Sequence, residues 1–337
     1  MTNTNKPTVG FAFSGASSRS VFYIGFLEVL SENNFPIDYL SALSGGAIVA
    51  ASYACGTLPE LKKLALSRDK ELVFNLIERS RSRGGLYQLN KVESMLRVYT
   101  KNQKFEEVKP RLGFVATDLV TESEVVLQVG DIARAVTASC TLPGIFQPLE
   151  WGNKQLVDGG VVNIVPSNVA REAGVDIVIG IDMRATRHIF SPWQINLKRV
   201  WNQFKRLIWP NQVDALWQKL GSFLDYHDIY EDYQAKASPN MFSVLGKSMD
   251  IAIKAQRVDK DEKFNCDLLI VPESAELSFW KRYLFLHFTD FSKTQQYYKS
   301  GRQTASRYLP QLWQLLSEKE TQLSNINQQV ADLLQSK

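Results

Sequence analysis

The chain has 337 residues, 45% of them hydrophobic and 22% charged, a balance that excludes wholesale disorder and supplies a substantial core. At about 150 residues per domain the length admits two domains, or one enlarged α/β domain with appended pieces. The formal net charge of +4 is too small to imply a nucleic-acid partner unless positive charge is concentrated somewhere.

One stretch does concentrate it. Between Asp182 and Asp214 there is no acidic residue, while Arg184, Arg187, Lys198, Arg199, Lys205 and Arg206 all fall there, so a charge-driven partner is expected at this stretch. Three cysteines, Cys55, Cys140 and Cys266, are odd in number and far apart, which argues against a disulfide framework or a structural zinc site and for a reducing compartment. Met1 to Pro7 lacks the basic and apolar runs of a secretory signal, and nowhere is there an apolar run of about 18 residues. A cytoplasmic protein, soluble or peripheral on the inner face of a membrane, is expected.

Short apolar runs alternate with helical patterns along most of the chain, the mark of βαβ units and a mostly parallel sheet. Val9 to Phe13 reads as a buried strand, Ser14 to Ser18 as a small-residue loop, and Phe22, Phe26, Val29 and Leu30 as the apolar stripe of a helix. Ile37 to Leu43 predicts a second strand, which Ser44-Gly45-Gly46 turns sharply into the helix Ala47 to Ala54, with Gly56 as its stop. Further strands are expected at Leu112 to Thr117, Glu124 to Gln128, Gln155 to Val157, Asp176 to Ile181 and Asp267 to Val271, with a helix at Pro166 to Glu172. These patterns divide the chain into a core at 8–184, a basic, aromatic helical insertion or cap at 185–265, a return to the core at 266–308 and a C-terminal amphipathic helix at 309–337. Two helical segments are expected near the end, Lys293 to Arg307 and Pro310 to Gln335.

A serine nucleophile has to be lifted from a strand on a tight turn, among small neighbours that tolerate strained dihedrals. Ala42-Leu43-Ser44-Gly45-Gly46 meets that need, with the N–H of Gly45 available for a developing oxyanion. The same pentapeptide is equally compatible with an ordinary strand-to-helix corner. The loop Ser14-Gly15-Ala16-Ser17-Ser18-Arg19-Ser20 offers more backbone N–H groups to an anion. Gly15 is its only glycine, so neither a dinucleotide-binding turn nor a phosphate-binding Walker loop fits. His188, His227 and His287 lie in or beyond the aromatic stretch, away from the glycine-rich corners. A carboxylate on a tight turn can serve as the base in their place, and Asp158-Gly159-Gly160 puts one at a strand end, although an Asp in such a turn is also common without any chemistry.

Taken in order, these motifs resemble the patatin-like phospholipase family, in particular its bacterial branch related to the neuropathy-target-esterase catalytic domain. The family carries a Gly-Gly-Gly-x-Arg-Gly loop, a Gly-x-Ser-x-Gly elbow and an Asp-Gly-Gly or Asp-Gly-Ala motif. Here the matching positions are Gly15 to Ser20 with Arg19 at the arginine, Ser44 in the elbow, and Asp158. Ile24-Gly25, Phe35-Pro36-Ile37-Asp38, Thr137 to Pro148 with its Leu-Pro-Gly-Ile-Phe core, and Val157 to Pro166 with Asn163 add to the likeness, which covers about Val9 to Arg184 and more weakly Asp267 to Arg307.

The resemblance implies a three-layer α/β/α fold and a lipid acyl-ester hydrolase of phospholipase or lysophospholipase type. It would use a Ser44–Asp158 dyad, an oxyanion loop of Gly15, Ala16, Ser17, Ser18 and Arg19 with Gly45, supporting glycines Gly46, Gly159 and Gly160, and no metal or organic cofactor. Arg19 is expected to order the loop. Four positions depart from the family pattern: Ala16, Ser17, Ser20 and Ala42 stand where it has glycine. A side chain at positive φ costs on the order of 1 kcal/mol. The alternative is therefore a weak or inactive patatin-fold protein that binds lipid or a protein partner.

Leu197, Val200, Trp201, Phe204, Leu207 and Ile208 recur at helical spacing among Lys198, Arg199, Lys205 and Arg206, and Trp209-Pro210 closes the run. Such a helix either packs its apolar face on the core or lies in an anionic membrane interface, with Lys198, Trp201, Phe204, Lys205, Ile208 and Trp209 as the contacts. Leu309, Leu312, Trp313, Leu316, Leu323, Val330 and Leu334 give the final helix one apolar face, which either covers the core of its own chain or pairs with a second copy.

Overall fold

A computed structural model of the chain describes residues 6–67, 76, 78–80, 84–183, 244, 245, 247, 248, 251, 252, 264–272 and 293–335. The basic aromatic segment, with Lys198, Trp201, Phe204, Lys205, Ile208 and Trp209, and all three histidines lie outside the described residues.

The chain opens with β1 (Val9–Phe13), a 3-10 turn at Ser17–Ser20, α1 (Val21–Glu32), β2 (Tyr39–Ala42), α2 (Gly45–Ala54) and α3 (Leu58–Ser67). Helices α1 and α2 stop for local reasons. After α1, Asn34 takes a left-handed φ of 53°, its N–H reaches the Ser31 carbonyl at 3.1 Å and that of Phe35 the Leu30 carbonyl at 2.9 Å, which satisfies carbonyls the helix itself leaves open. Gly56 does the same for α2 at φ 67°, with Thr57 N–H bonding the Ser52 carbonyl at 2.8 Å.

Next come β3 (Glu78–Arg79), β4 (Gly85–Gln88), α4 (Asn90–Tyr99), β5 (Arg111–Asp118), β6 (Ser123–Leu127), α5 (Ile132–Ser139), β7 (Gly144–Phe146), β8 (Leu149–Trp151), β9 (Lys154–Asp158), α6 (Ser167–Glu172), β10 (Ile177–Ile181), β11 (Leu268–Ile270) and α7 (Thr294–Gln335). The main sheet runs β11-β10-β1-β2-β5-β9-β8, with β6 also on β5. From β11 through β5 every pairing is parallel, whereas β6, β8 and β9 join antiparallel. The expected strands Glu124 to Gln128 and Gln155 to Val157 are β6 and β9, joined antiparallel in a sheet whose other half is parallel, whereas the small sheet β3-β4-β7 has strands too short to leave a pattern.

Period-2 alternation sorts the strands onto two faces. Phe11, Phe13, Leu40, Ala42, Phe114, Ile177, Ile179 and Ile181 face a large core shared with α1, α2, α5 and α7. Tyr39, Val115 and Val178 face the other side, where α6 supplies Val169 and Ala170. Helices therefore cover both faces, a three-layer α/β/α arrangement. A small residue lets this layer approach: a Cβ on Gly10 of β1 would meet Val175, just past α6, at 3.0 Å and Ala170 of α6 at 3.5 Å.

The two expected C-terminal helices are a single helix, α7, with Pro310 inside it. An interior proline costs about 3 kcal/mol, and burial on both sides of it, by Ala305, Leu312 and Leu316, offsets that cost. α7 lies on α1 at a crossing made possible by glycine, since a Cβ on Gly301 would stand 2.0 Å from the Phe22 carbonyl oxygen and one on Gly25 2.3 Å from that of Tyr298. Around the crossing, Glu28 accepts from Lys62 (3.0 Å), Tyr298 (2.6 Å) and Arg302 (3.2 Å), and Arg302 also pairs with Glu32 at 2.8 Å. The helix thus covers its own core as far as Leu316, and Trp313 meets Phe35 edge-on with ring centroids 5.0 Å apart; by Ile326, 54% exposed, it has left the core. No helix among the described residues is long and apolar enough to cross a membrane.

Gly301→Ala forces the two helix backbones apart and is expected to destabilise the fold by roughly 2 kcal/mol, read as a lower urea midpoint, whereas Gly152→Ala on an open turn with nothing within 4 Å loses only its positive-φ freedom.

Candidate active site

Ser44 stands between β2 and α2 with φ 52° and ψ −131°, a conformation outside the regions open to L-residues without strain. The turn has room because the chain beside it is almost without side chains. A Cβ on Gly15 would press to 2.7 Å from Leu43 and 3.3 Å from the Ser44 Cβ; one on Gly45 would meet the Ser17 carbonyl at 3.0 Å; one on Gly46 would meet that of Ser14 at 2.9 Å. The loop after β1 is thereby laid directly on the elbow. Gly15, Ala16 and Gly45 have N–H groups with no hydrogen-bond partner among the described residues, beside the Ser44 side chain.

Of the four positions that depart from glycine, Ser17 is the one at positive φ, 50°. Ala16 sits at φ −141° and is buried, and Ala42 is an ordinary strand residue paired with Phe114. The loop therefore reaches a left-handed turn at the price of one strained serine. Arg19 N–H closes that turn on the Ala16 carbonyl at 3.0 Å. Beneath it, Tyr23 donates to the Ser14 carbonyl at 2.9 Å and stacks on Phe13 at 4.3 Å; burial pushes its phenol up, and the charges of Asp182 and Arg19 act on it in opposite directions.

Asp158 ends β9, and the register explains why it faces Ser44. Ala42 lies opposite Phe114 on β5, so two residues further the chain reaches the level of Ala116, which is the β5 partner of Asp158. The carboxylate is 5% exposed. Its Oδ1 accepts the Gly160 N–H at 2.8 Å, while buried Oδ2 has no hydrogen-bond partner among the described residues. The Ser44 hydroxyl is nevertheless near enough to bias its ionisation: burial raises the Asp158 pKa from 3.8 to about 6, against the lowering influence of Ser44 and the Gly160 N–H. A loose contact of this kind is common where the reacting molecule is absent. Cys140 lies close by, its thiol pushed well up by burial and by the Asp158 charge, so it stays protonated.

Residues to which the sequence alone assigns no role hold this pair. Ser44 N–H donates to Ser139 Oγ at 2.9 Å, and Ser139 donates to the Val115 carbonyl at 2.6 Å. Asp158 N–H donates to the Thr141 carbonyl at 2.8 Å, and Thr117 Oγ1 donates to the Asp158 carbonyl at 3.0 Å. Gly159 is required for contact with β5, since a Cβ there would stand 2.4 Å from the Val115 carbonyl oxygen. The sequence signal for Ser139 and Thr141 was only their place in the Thr137 to Pro148 stretch.

A buried carboxylate with a raised pKa costs stability when charged. Because the folded pKa, about 6, lies above the unfolded 3.8, the penalty is absent below about pH 4, grows between about pH 4 and 6, and is fully present above, at on the order of 3 kcal/mol. Asp158→Asn is expected to raise the denaturation midpoint at pH 8 and to bring little gain at pH 3.5, measured by urea unfolding at both pH values.

Comparison with known proteins places this geometry in a family. Residues 11–171 match the family model described as patatin-like phospholipase. An uncharacterised NTE family protein of Mycobacterium tuberculosis is 26% identical over 183 residues, 54% of this chain and 51% of that protein. The mouse patatin-like phospholipase domain-containing protein 6 is 29% identical over 217 residues, 61% of this chain and 16% of the mouse protein. The chain thus spans about half the length of the mycobacterial relative and a small part of the mammalian one. The crystal structure of VipD from Legionella pneumophila aligns at a TM-score of 0.36 with 14% identity, over 88% of this chain and 67% of that one; the family match carries the assignment without it. Residues 11–171 form a domain of the patatin-like phospholipase family.

Proposed function

We propose that the chain is a serine hydrolase of lipid or lysolipid acyl esters. The observation that carries this reading is the juxtaposition of Ser44, on a strained elbow, with a buried Asp158 whose pKa of about 6 suits a general base near neutral pH. Asp158 has one oxygen committed to Gly160 N–H and the other, Oδ2, without a hydrogen-bond partner among the described residues. Oδ2 is the proton acceptor in this scheme.

Ser44 Oγ attacks the acyl carbonyl as its proton passes to Asp158 Oδ2. The resulting oxyanion is held by N–H groups of Gly15, Ala16 and Gly45, and the Ser44 N–H contributes nothing because Ser139 occupies it. Asp158 returns the proton to the departing alkoxide. Water, deprotonated by the same carboxylate, then opens the acyl-enzyme and restores Ser44. Arg19 orders the loop in this scheme, and the chemistry asks for no metal or organic cofactor.

A fluorophosphonate probe tests the reading directly. Wild type is expected to label, with a rate that rises about tenfold per pH unit below about pH 6 and levels off above, as Asp158 loses its proton. Ser44→Ala abolishes labelling and Asp158→Asn lowers it by at least about 10³-fold, both with circular dichroism spectra unchanged. A folded wild type that never labels overturns the hydrolase reading and favours a lipid- or partner-binding role.

The basic aromatic run that includes Lys198, Trp201, Phe204, Lys205, Ile208 and Trp209 is the proposed contact with an anionic membrane surface, on the strength of its amphipathic spacing and charge. Changing Trp201, Phe204 and Lys205 together to alanine is expected to abolish flotation with vesicles containing phosphatidylserine; unchanged flotation sinks the idea.

A further inference from the structure

Ser44 adopts a strained conformation, and strain persists only where surrounding structure over-determines it. The glycines around the elbow explain why the turn has room, but room does not hold a turn in place. Among the described residues, one side-chain hydrogen bond reaches the Ser44 backbone. Its acceptor is Ser139 Oγ, 2.9 Å from the Ser44 nitrogen and 95 residues away in sequence.

A serine hydroxyl has one proton and two lone pairs. Ser139 gives its proton to the Val115 carbonyl at 2.6 Å, which fixes the hydroxyl rotor and leaves its lone pairs to receive the Ser44 N–H. Being fully buried, it has no water to exchange with. Two residues on, the carbonyl of Thr141 receives the Asp158 N–H at 2.8 Å. The three-residue strip Ser139-Cys140-Thr141 therefore grips the backbone of the nucleophile at one end and of the base at the other, and it is itself tied to the β5 strand that aligns them.

We propose that Ser139 is a positioning residue of this active site: its hydroxyl clamps the Ser44 backbone to β5, and with the Thr141 carbonyl it sets the separation of Ser44 Oγ from Asp158. This inference rests on the reading of Ser44 as the nucleophile. It assigns Ser139 no contact with substrate, so its loss acts on turnover and leaves substrate binding alone.

The test is the second-order rate of fluorophosphonate labelling, with kcat and KM on a soluble acyl ester, for Ser139→Ala, Ser139→Cys and Thr137→Val. Thr137 is the control, a buried hydroxyl on the same helix that bonds only the Ala133 carbonyl of its own turn at 2.8 Å. Ser139→Ala is expected to label about 10²-fold more slowly, the scale of loss for a small misplacement of a reacting group, with kcat reduced and KM unchanged. Ser139→Cys, similar in volume but with a sulfur that accepts weakly, falls between alanine and wild type and keeps the experiment decisive if the alanine variant does not fold. The pH midpoint of labelling stays where Asp158 sets it, because the base remains buried.

Three results overturn the proposal. One is a folded Ser139→Ala, or Ser139→Cys, that labels as fast as wild type. Another is Thr137→Val losing as much as Ser139→Ala, which makes the effect one of general stability. The third is a midpoint that drops toward that of an ordinary carboxylate, which means the site has opened to water. A wild type that never labels removes the nucleophile reading and this inference together, an outcome distinct from failure of Ser139 alone.

Discussion

The Val115 carbonyl accepts the Ser139 hydroxyl, which in turn holds the Ser44 N–H, and on the next two residues β5 pairs with Asp158 and supports its carbonyl through Thr117. The middle of one strand thus serves as the common reference for a serine that arrives on the parallel side of the sheet and a carboxylate that arrives on the antiparallel side. β2 runs toward this level from one end of β5 and β9 from the other, so the elbow that follows β2 and the last residue of β9 meet beside Ala116.

This arrangement is held against local free energy. Ser44 and Ser17 both sit at positive φ, each at a cost on the order of 1 kcal/mol or more, and Asp158 is buried with a pKa near 6. What offsets these terms is close packing of backbone on backbone. Gly15, Gly45, Gly46 and Gly159 each stand where a Cβ would collide with the facing chain or crowd it, so loop, elbow and turn lock together with few side chains between them. Both strained serines and the buried Asp158 carboxylate therefore lie where chemistry is proposed. They rest on a core that is otherwise conventional, with aromatic side chains of β1 and α1 in edge and stacked contact.

The same economy of side chains operates at a distance from the site. Gly25 and Gly301 bring α1 and α7 into backbone contact, and the charges around Glu28 fix their register. Since α1 follows directly from the loop that covers Ser44, the C-terminal helix braces the element that carries the loop. Ile24-Gly25 could be read in the sequence as part of a family pattern; that its glycine answers a second glycine 276 positions later follows only from the packed helices.

The alternation of apolar residues made β1, β2, β5 and β10 and the sharp corner at Ser44 legible, because buried parallel strands and glycine-rich turns are determined locally by side-chain size and backbone freedom. The sequence also singled out Ser44, Asp158, Gly15 and Gly45, residues whose chemistry is visible without neighbours. It carried no comparable mark for Ser139, Thr141 or Thr117, whose parts in the site are hydrogen bonds to distant backbone, and serine and threonine at helix ends and in strands are too common to signal that. Nor did it foresee that α7 runs unbroken through Pro310, since local propensity argues for a stop there and only burial against α1 overrides it. Which atoms face one another across the sheet is a matter of strand register, and register is fixed by pairing between segments far apart in the chain. The sequence alone thus determined the chemical groups available and the turns that present them; the tertiary structure decided their distances, the burial that raises the Asp158 pKa and the hydrogen bonds that hold Ser44 in place.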